Sequence, residues 1–231
     1  MTEITFSSDI EVKLVRSMAS DDMVVQAAQV SAKGENNPDT TPARLIEALM
    51  KGKHGSPFEH NAFTFFVKAP LFVFREWQRH RISSFNEMSG RYTELLPEFY
   101  IPGEDRHVVN VGTKMKPTFQ EAPFLLEDVD STLRARSVDA WLEYKALLNN
   151  GVANEVARMV LPLNIYSQMY WTVNARSLMN FLSLRSDQTG ALVPSYPQRE
   201  IQMGAEKVER IFDDLMPKTY AAFVKNGRVA P

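Results

Sequence analysis

The chain has 231 residues and 44% hydrophobic content, enough apolar surface to build a real core. Its 26 basic and 28 acidic residues and sequence pI near 6.1 leave no overall cationic surface to track a phosphate backbone, so a nucleic-acid polymer is disfavoured as partner while a small anion is not. Cysteine is absent, which excludes disulfides, thiolate metal sites and any mechanism in which the chain's own thiolate attacks a substrate.

The opening MTEITFSSDI lacks the positive and then apolar regions of an export signal. No apolar run approaches the roughly 20 residues that span a bilayer. A cytoplasmic protein without membrane contact is expected. No linker, repeat or low-complexity tract divides the sequence, so residues 1–231 read as a single domain.

Alternation from Ile10 to Val15 predicts an early strand, and DDMVVQAAQVSA a helix capped by Asp21. Thr41 and Pro42 form an N-cap and N1 pair opening a helix over TPARLIEALMKGK, with Gly55 as its stop. AFTFFVKAP is β-branched and aromatic enough for a strand, and Pro70 turns it into a helix over LFVFREWQRHR, residues 70 to 81. Residues 97 to 123 read as an irregular excursion. A long helix follows, with Leu133, Trp141, Leu142 and Leu148 apolar and Asn149-Asn150-Gly151 as its stop. VANEVARMVLP predicts another helix, NIYSQMYWTVNA a strand, RSLMNFLSLR a helix and SDQTGALVPSYP a loop. QREIQMGAEKVERIFDDLM closes the chain as an amphipathic helix with Ile201, Val208, Ile211, Phe212 and Leu215 on its apolar side. The class is α+β, helices around a mostly antiparallel sheet.

Charge concentrates in RHRISSFNEMSGRY, residues 79 to 92. On a helix over 70 to 81, Arg75 and Arg79 share a face while Phe74 and Trp77 face the core. Two accounts of this cluster stand side by side. In one, Glu76 and Glu87 neutralise a solvated face. In the other, Arg81, Ser84, Asn86, Ser89 and Arg91 alternate donors with small residues in a loop, as an anion site requires. A second polar cluster is Asn174, Arg176 and Asn180 at a strand-to-helix junction, closed by Arg185, for which capping by the helix dipole is an equal alternative. Arg158 reads either as a surface residue or as part of a site. His54 and His60 are six apart without a supporting i+4 histidine or clustered Asp, so no metal is expected. There is no GxGxxG after a strand, no GxxxxGK[ST], no GxSxG and no HExxH.

The stretch Arg79, His80, Arg81, Ser84, Asn86, Ser89, Arg91 and Tyr92 resembles RHRxxSxNxxSxRY, the signature of the flavin-dependent thymidylate synthases. HGSPFEHNAFTF, VARMVLPLN and WTVNARSLMNFLSLR are similar to family segments in the same order, and the likeness continues weakly into QREIQ. The resemblance implies an α/β subunit with a central, largely antiparallel sheet, assembled as a homotetramer with shared active sites. It implies methylation of dUMP to dTMP with 5,10-methylenetetrahydrofolate as carbon donor, FAD as hydride carrier and NADPH as reductant. That chemistry needs no cysteine nucleophile.

Carried over by position, the resemblance puts dUMP contacts on Glu76, Trp77, Gln78 and Arg79, on Glu87, Met88, Ser89, Gly90 and Arg91, and on Arg158 and Arg185. It puts FAD contacts on Ser56, Arg79, His80, Arg81, Glu87, Asn174, Ala175, Arg176 and Asn180, and sets His54 against the folate or flavin ring. Arg185 falls by the uracil edge, where a guanidinium stabilises charge developing at N3 and O4, and is the expected catalytic residue. Ser89 is assigned to binding, because no base is placed beside it in sequence. Glu76 stands where members commonly carry Gln, and a carboxylate facing a phosphate is repulsive unless it pairs with Arg75, Arg79 or a neighbouring subunit's Arg. The loop after Arg185 is longer than in compact members and lacks a histidine that some have near the flavin.

Overall fold

The structure is a computed structural model that describes residues 3–31 and 41–231. The chain divides into two compact units, each gathered from three separated stretches, so no single point in the sequence marks a boundary between them. Mixed helix and mostly antiparallel sheet match the expected class.

The first unit comprises residues up to Ile10, Lys68–Trp77 and Glu87–Met169. Strand β1 (Thr5–Ser7) opens the described chain. Much of the unit's core is carried by α4 (Pro123–Asn149), whose stop behaves as read: Asn150 caps it and Gly151 follows at φ +83°, a left-handed conformation that favours glycine. Trp141 and Tyr144 are buried against Leu95, Phe99 and Ile165, and the Tyr144 hydroxyl accepts from Leu95 N at 3.3 Å. Leu142, expected on the apolar side, is instead 58% exposed. The excursion after Pro97 is not wholly irregular, since it contains three short strands, β5 (Glu98–Tyr100), β6 (Val109–Asn110) and β7 (Phe119–Gln120). β5 pairs parallel with β1, which supplies the order the local sequence lacks.

The second unit comprises Glu11–Val67, Gln78–Asn86 and Tyr170–Pro231. The early strand is longer than expected, β2 (Glu11–Met18). Helix α1 (Asp21–Val30) is capped by Ser20, whose hydroxyl accepts from Met23 N, and not by Asp21. Asp21 is buried, and its carboxylate accepts from Lys218 N at 2.8 Å and from Thr219 N and Oγ1 at 2.9 and 2.6 Å, a non-local role that capping rules cannot foresee. The last residue of the predicted α1 segment, Ala32, lies outside the described residues. Helix α2 (Pro42–Lys51) opens as read on Thr41, whose hydroxyl accepts from Arg44 N, but Gly52 rather than Gly55 ends it.

Strand β3 (Ala62–Pro70) and helix α3 (Leu71–Trp77) realise AFTFFVKAP and LFVFREW. α3 stops at the fully buried Trp77, so Arg75 and Arg79 do not share a helix face; Arg79 lies in the turn beyond. The signature then forms β4 (Ser84–Glu87) where a loop was expected. VANEVARMVLP yields only the single turn α5 (Asn154–Ala157) and a 3-10 turn, Arg158–Val160. β8 (Tyr166–Asn174) and α6 (Ala175–Arg185) follow as predicted, and the larger sheet is ordered β2-β3-β8-β4. α7 (Arg199–Leu215) buries Ile201, Val208 and Phe212, and is not the last helix: Pro217 starts α8 (Pro217–Lys225) at its first position. Within this unit Phe65 stacks on Trp171 at 5.4 Å, and Trp171 meets Phe181 at 4.9 Å. Each such ring contributes about 1.5–3 kcal/mol on burial.

Candidate active site

The predicted residues gather into two clusters, one in each unit. In the first unit, a cavity of about 380 Å³ is lined by Arg75, Glu87, Gly90, Glu155, Arg158 and Ser167, among others. α3 delivers Arg75 from its last turn, and the turn after α5 delivers Arg158. Both are exposed, and neither forms an ion pair among the described residues. Two guanidiniums facing one cavity repel unless an anion lies between them, and their planar forks suit a phosphate.

The loop after β4 is held in a fixed turn beside that cavity. Met88 N donates to Gln168 O at 2.8 Å, holding the loop to β8, and Ser167 Oγ donates to the Glu87 carboxylate at 2.9 Å. Ser89 Oγ accepts from Arg91 N at 3.3 Å, while Tyr92 N and Thr93 N donate to Ser89 O, a compact turn. Gly90 is buried in that turn, and a Cβ on it would come within 3.3 Å of the Arg158 stem and Leu95. Arg91 pairs with Glu155 at 2.9 Å and lies over the Tyr92 ring, an exposed arrangement worth under about 1 kcal/mol and readily exchanged for another anion. Trp77 is fully buried, so its side chain serves the core rather than the cavity.

In the second unit the polar residues line α6 from end to end, about 15 Å at 1.5 Å per residue. Asn174 is the N-cap, its Oδ1 accepting from Ser177 N at 2.8 Å. Arg176 is tied down: its Nε donates to Pro231 O at 2.8 Å and its Nη1 to Glu59 at 2.6 Å. Gly55 makes this possible, because a Cβ there would lie 2.4 Å from Arg176 Nε. Ser56 and Asn180 are exposed on the same region, as are His54 and His60. No His/Cys/Asp/Glu group among the described residues could hold a metal ion.

At the other end of α6, Arg185 Nε donates to His80 Nε2 at 3.3 Å, and the His80 ring packs edge-on against Phe181 at 4.9 Å. Burial, and then the positive charge of Arg185, lower the His80 pKa from 6.5 to about 4. His80 is therefore neutral at ordinary pH, with Nε2 free of a proton and able to accept. Because the folded value lies below the unfolded one, the unfolded chain binds more protons between those values, and stability falls as pH drops from 6.5 toward 4. Acid-unfolding midpoints should show that loss diminished in His80→Gln; an identical profile in the variant would remove the assignment. Arg79 and Arg81 are exposed and form no ion pair among the described residues.

Sequence reasoning left three partners out of the site: Glu155 on Arg91, Ser167 on Glu87 and Glu59 on Arg176. It also left Arg75 out of the ligand set. Glu59 sat in view inside HGSPFEH, and Glu155 three residues before Arg158, but the pairings are non-local and carry no spacing signal.

Known proteins resemble this chain along nearly its whole length. Residues 13–218 match the family described as Thymidylate synthase complementing protein, Thy1. A flavin-dependent thymidylate synthase of Streptomyces avermitilis is 51% identical, covering 98% of this chain and 96% of its own. That of Streptomyces coelicolor is 52% identical over 99% and 96%, and that of Thermotoga neapolitana 46% over 93% and 90%. Among solved structures, a UMP/dUMP methylase, PolB, from Streptomyces cacaoi bound with 5-Br UMP is 44% identical, with a TM-score of 0.93 over 99% of this chain and 100% of that one. Bound with 5-Br dUMP, the same methylase gives 43% identity and a TM-score of 0.90 over the same shares. The intact RHR signature, the family match over residues 13–218 and half-identical relatives along nearly the whole chain place this protein in the flavin-dependent thymidylate synthase family.

Proposed function

We propose that the chain converts dUMP to dTMP, taking carbon from 5,10-methylenetetrahydrofolate and reducing equivalents from NADPH through FAD, and releasing tetrahydrofolate. The observation that carries this reading is the Arg75 and Arg158 cavity beneath the signature loop, in a chain 44% identical to a methylase solved with 5-Br UMP. Arg75, Arg91 and Arg158 hold the nucleotide phosphate, and the loop from Glu87 to Gly90, fastened to β8 by Met88 N on Gln168 O, completes that end. Glu76, Trp77 and Gln78 flank it along α3 and the turn after it. Arg185, oriented by neutral His80, faces the uracil edge.

The donor set of the second unit suits a flavin nucleotide. Arg79 and Arg81 are exposed cations for its phosphates, and Ser56 and Asn180 exposed hydrogen-bonding groups for its polar edges. His80, Glu87, Asn174, Ala175 and Arg176 shape the remainder, Asn174 and Arg176 acting through the cap and the Glu59 pair they make within the chain. Bound FAD would supply the hydride-carrying chemistry, with NADPH as reductant. His54, exposed near Ser56, meets the folate or flavin ring. The working assembly is a homotetramer whose catalytic centres draw on more than one chain, and the compartment is the cytoplasm. No helix among the described residues is long and apolar enough to cross a membrane.

With no cysteine in the chain, the pyrimidine is not activated by an enzyme thiolate, so electrostatic stabilisation by Arg185 carries that role. The test is dTMP formation from dUMP with folate, NADPH and FAD supplied; uptake of dUMP and FAD without dTMP would reduce the chain to a binding module. UMP, named with dUMP in the description of PolB, belongs in a parallel reaction, and methylation of UMP in preference to dUMP would overturn the substrate assignment. Arg79 is assigned to dUMP as well as to the flavin, so Arg79→Ala should weaken both by about 10-fold or more each, the loss of a charge-assisted contact. Equilibrium titration of both ligands checks this, and loss of only one would show that Arg79 serves that ligand alone.

A further inference from the structure

Glu209, on α7, is 8% exposed and collects three donors that the reaction as described does not use. Ser186 Oγ donates to its Oε2. Tyr220 Oη donates to its Oε1 at 3.0 Å, and Arg228 Nη2 to the same oxygen at 2.7 Å. Ser186 is fully buried, follows Arg185 directly and caps α6, its N–H donating to Leu182 O at 3.1 Å.

We infer that Glu209 is a positioning residue: through Ser186 it fixes the end of α6 and so the direction in which Arg185 leaves that helix. The inference rests on the role given to Arg185 above. A buried carboxylate is tolerated only with its charge and lone pairs met, and Arg228, Tyr220 and Ser186 together meet them. Arg228 is held at φ +58°, a conformation a non-glycine residue keeps only where its surroundings impose it. Here the buried pair with Glu209 supplies that constraint, with both side chains almost wholly enclosed.

The same short segment also holds the far end of α6. Pro231 O accepts from Arg176 Nε at 2.8 Å, and Ala230 O from Lys53 Nζ at 3.3 Å. Residues 228–231 therefore act as a strap, with Arg228 fastened to the Arg185 end through Glu209 and Pro231 to the Arg176 end. With both ends fixed, rotation or fraying of α6 is suppressed, and the guanidinium of Arg185 stays on His80.

The test uses the full-length chain with FAD bound and compares Ser186→Ala, Glu209→Gln and Thr219→Val. Thr219 is buried in α8 and donates to Asp21 rather than to Glu209 or Ser186, so its variant reports general destabilisation of the same unit. Ser186→Ala and Glu209→Gln should lower kcat about 10- to 100-fold with KM for dUMP unchanged, the penalty for a misplacement of around an ångström. The double variant should lose no more than the worse single one, because the two act through one contact. Independently of activity, NMR titration of His80 should begin from a pKa of about 4 in the parent and rise in both variants as Arg185 drifts from the ring. Thr219→Val should lower Tm while leaving kcat and the His80 titration alone.

If Ser186→Ala folds with parental kcat and parental His80 titration, the inference is overturned. It is overturned equally if Thr219→Val reproduces the Ser186→Ala changes. A parent protein that makes no dTMP would refute the proposed function, and the His80 titration would still decide whether Glu209 positions Arg185. Should Glu209→Gln fail to fold, Ser186→Ala alone carries the decision.

Discussion

Arg185→Ala is expected to retain FAD and to make dTMP some 10²- to 10³-fold more slowly, the loss typical of removing one preorganised group that stabilises developing charge. Arg185 stands in the last turn of α6, half-buried, with Nε on a histidine that burial keeps neutral, so the imidazole orients the guanidinium without competing for its charge. A charge held this way meets negative charge appearing on the pyrimidine better than it meets the neutral ring, so the effect falls on kcat. Arg185→Lys should recover little, since an ammonium keeps the charge and loses the planar fork. Single-turnover rates with dUMP saturating, beside the flavin content of the variant, check the expectation. Full activity in Arg185→Ala would remove the catalytic assignment.

Arg158→Ala should have the second-largest effect, and of the opposite kinetic kind. Arg158 shares its cavity with Arg75, and its stem packs on Gly90 within the signature loop. A phosphate far from the reacting carbon is held equally in ground and transition states, so KM for dUMP should rise while kcat stays near the parent value. Removing one charged hydrogen-bonding partner costs about 1.5–3 kcal/mol, or roughly 10- to 150-fold in KM. The dependence of KM on salt should flatten as well, because one fewer cation faces the dianion. A drop in kcat at unchanged KM would mean that Arg158 faces the reacting end of the nucleotide instead.

Much of the scaffold was legible in the sequence where the signal is local. AFTFFVKAP is a strand because its aromatic and β-branched residues alternate into a core, and Thr41-Pro42 begins a helix because both side chains serve backbone needs at that position. Asn174 was legible as a polar residue at a junction, and its role as the cap of α6 emerged with the structure. The errors share a cause. α3 stops four residues early, at the buried Trp77, and β4 is a strand because β8 offers it an edge, although Ser84 and Asn86 have little intrinsic preference for one. Asp21, read as a cap, answers instead to Thr219, nearly two hundred residues away.

The site followed the same division. Residue types pointed to an anion and to guanidiniums, and the signature carried the family. The pairings that aim those groups, Ser167 on Glu87, Glu155 on Arg91, Glu59 on Arg176 and Glu209 on Ser186, are set by tertiary contact and leave no periodic trace.

The proposed reaction requires one protein to bind flavin, accept reducing equivalents from NADPH and respond to dUMP. The visible absorption spectrum of the purified chain tests it most directly, recorded without oxygen before and after NADPH, with and without dUMP. A flavin band that bleaches on NADPH, and whose shape or bleaching rate changes with dUMP, is the expected result. A colourless protein that also fails to take up added FAD would show that the chain does not carry out this chemistry.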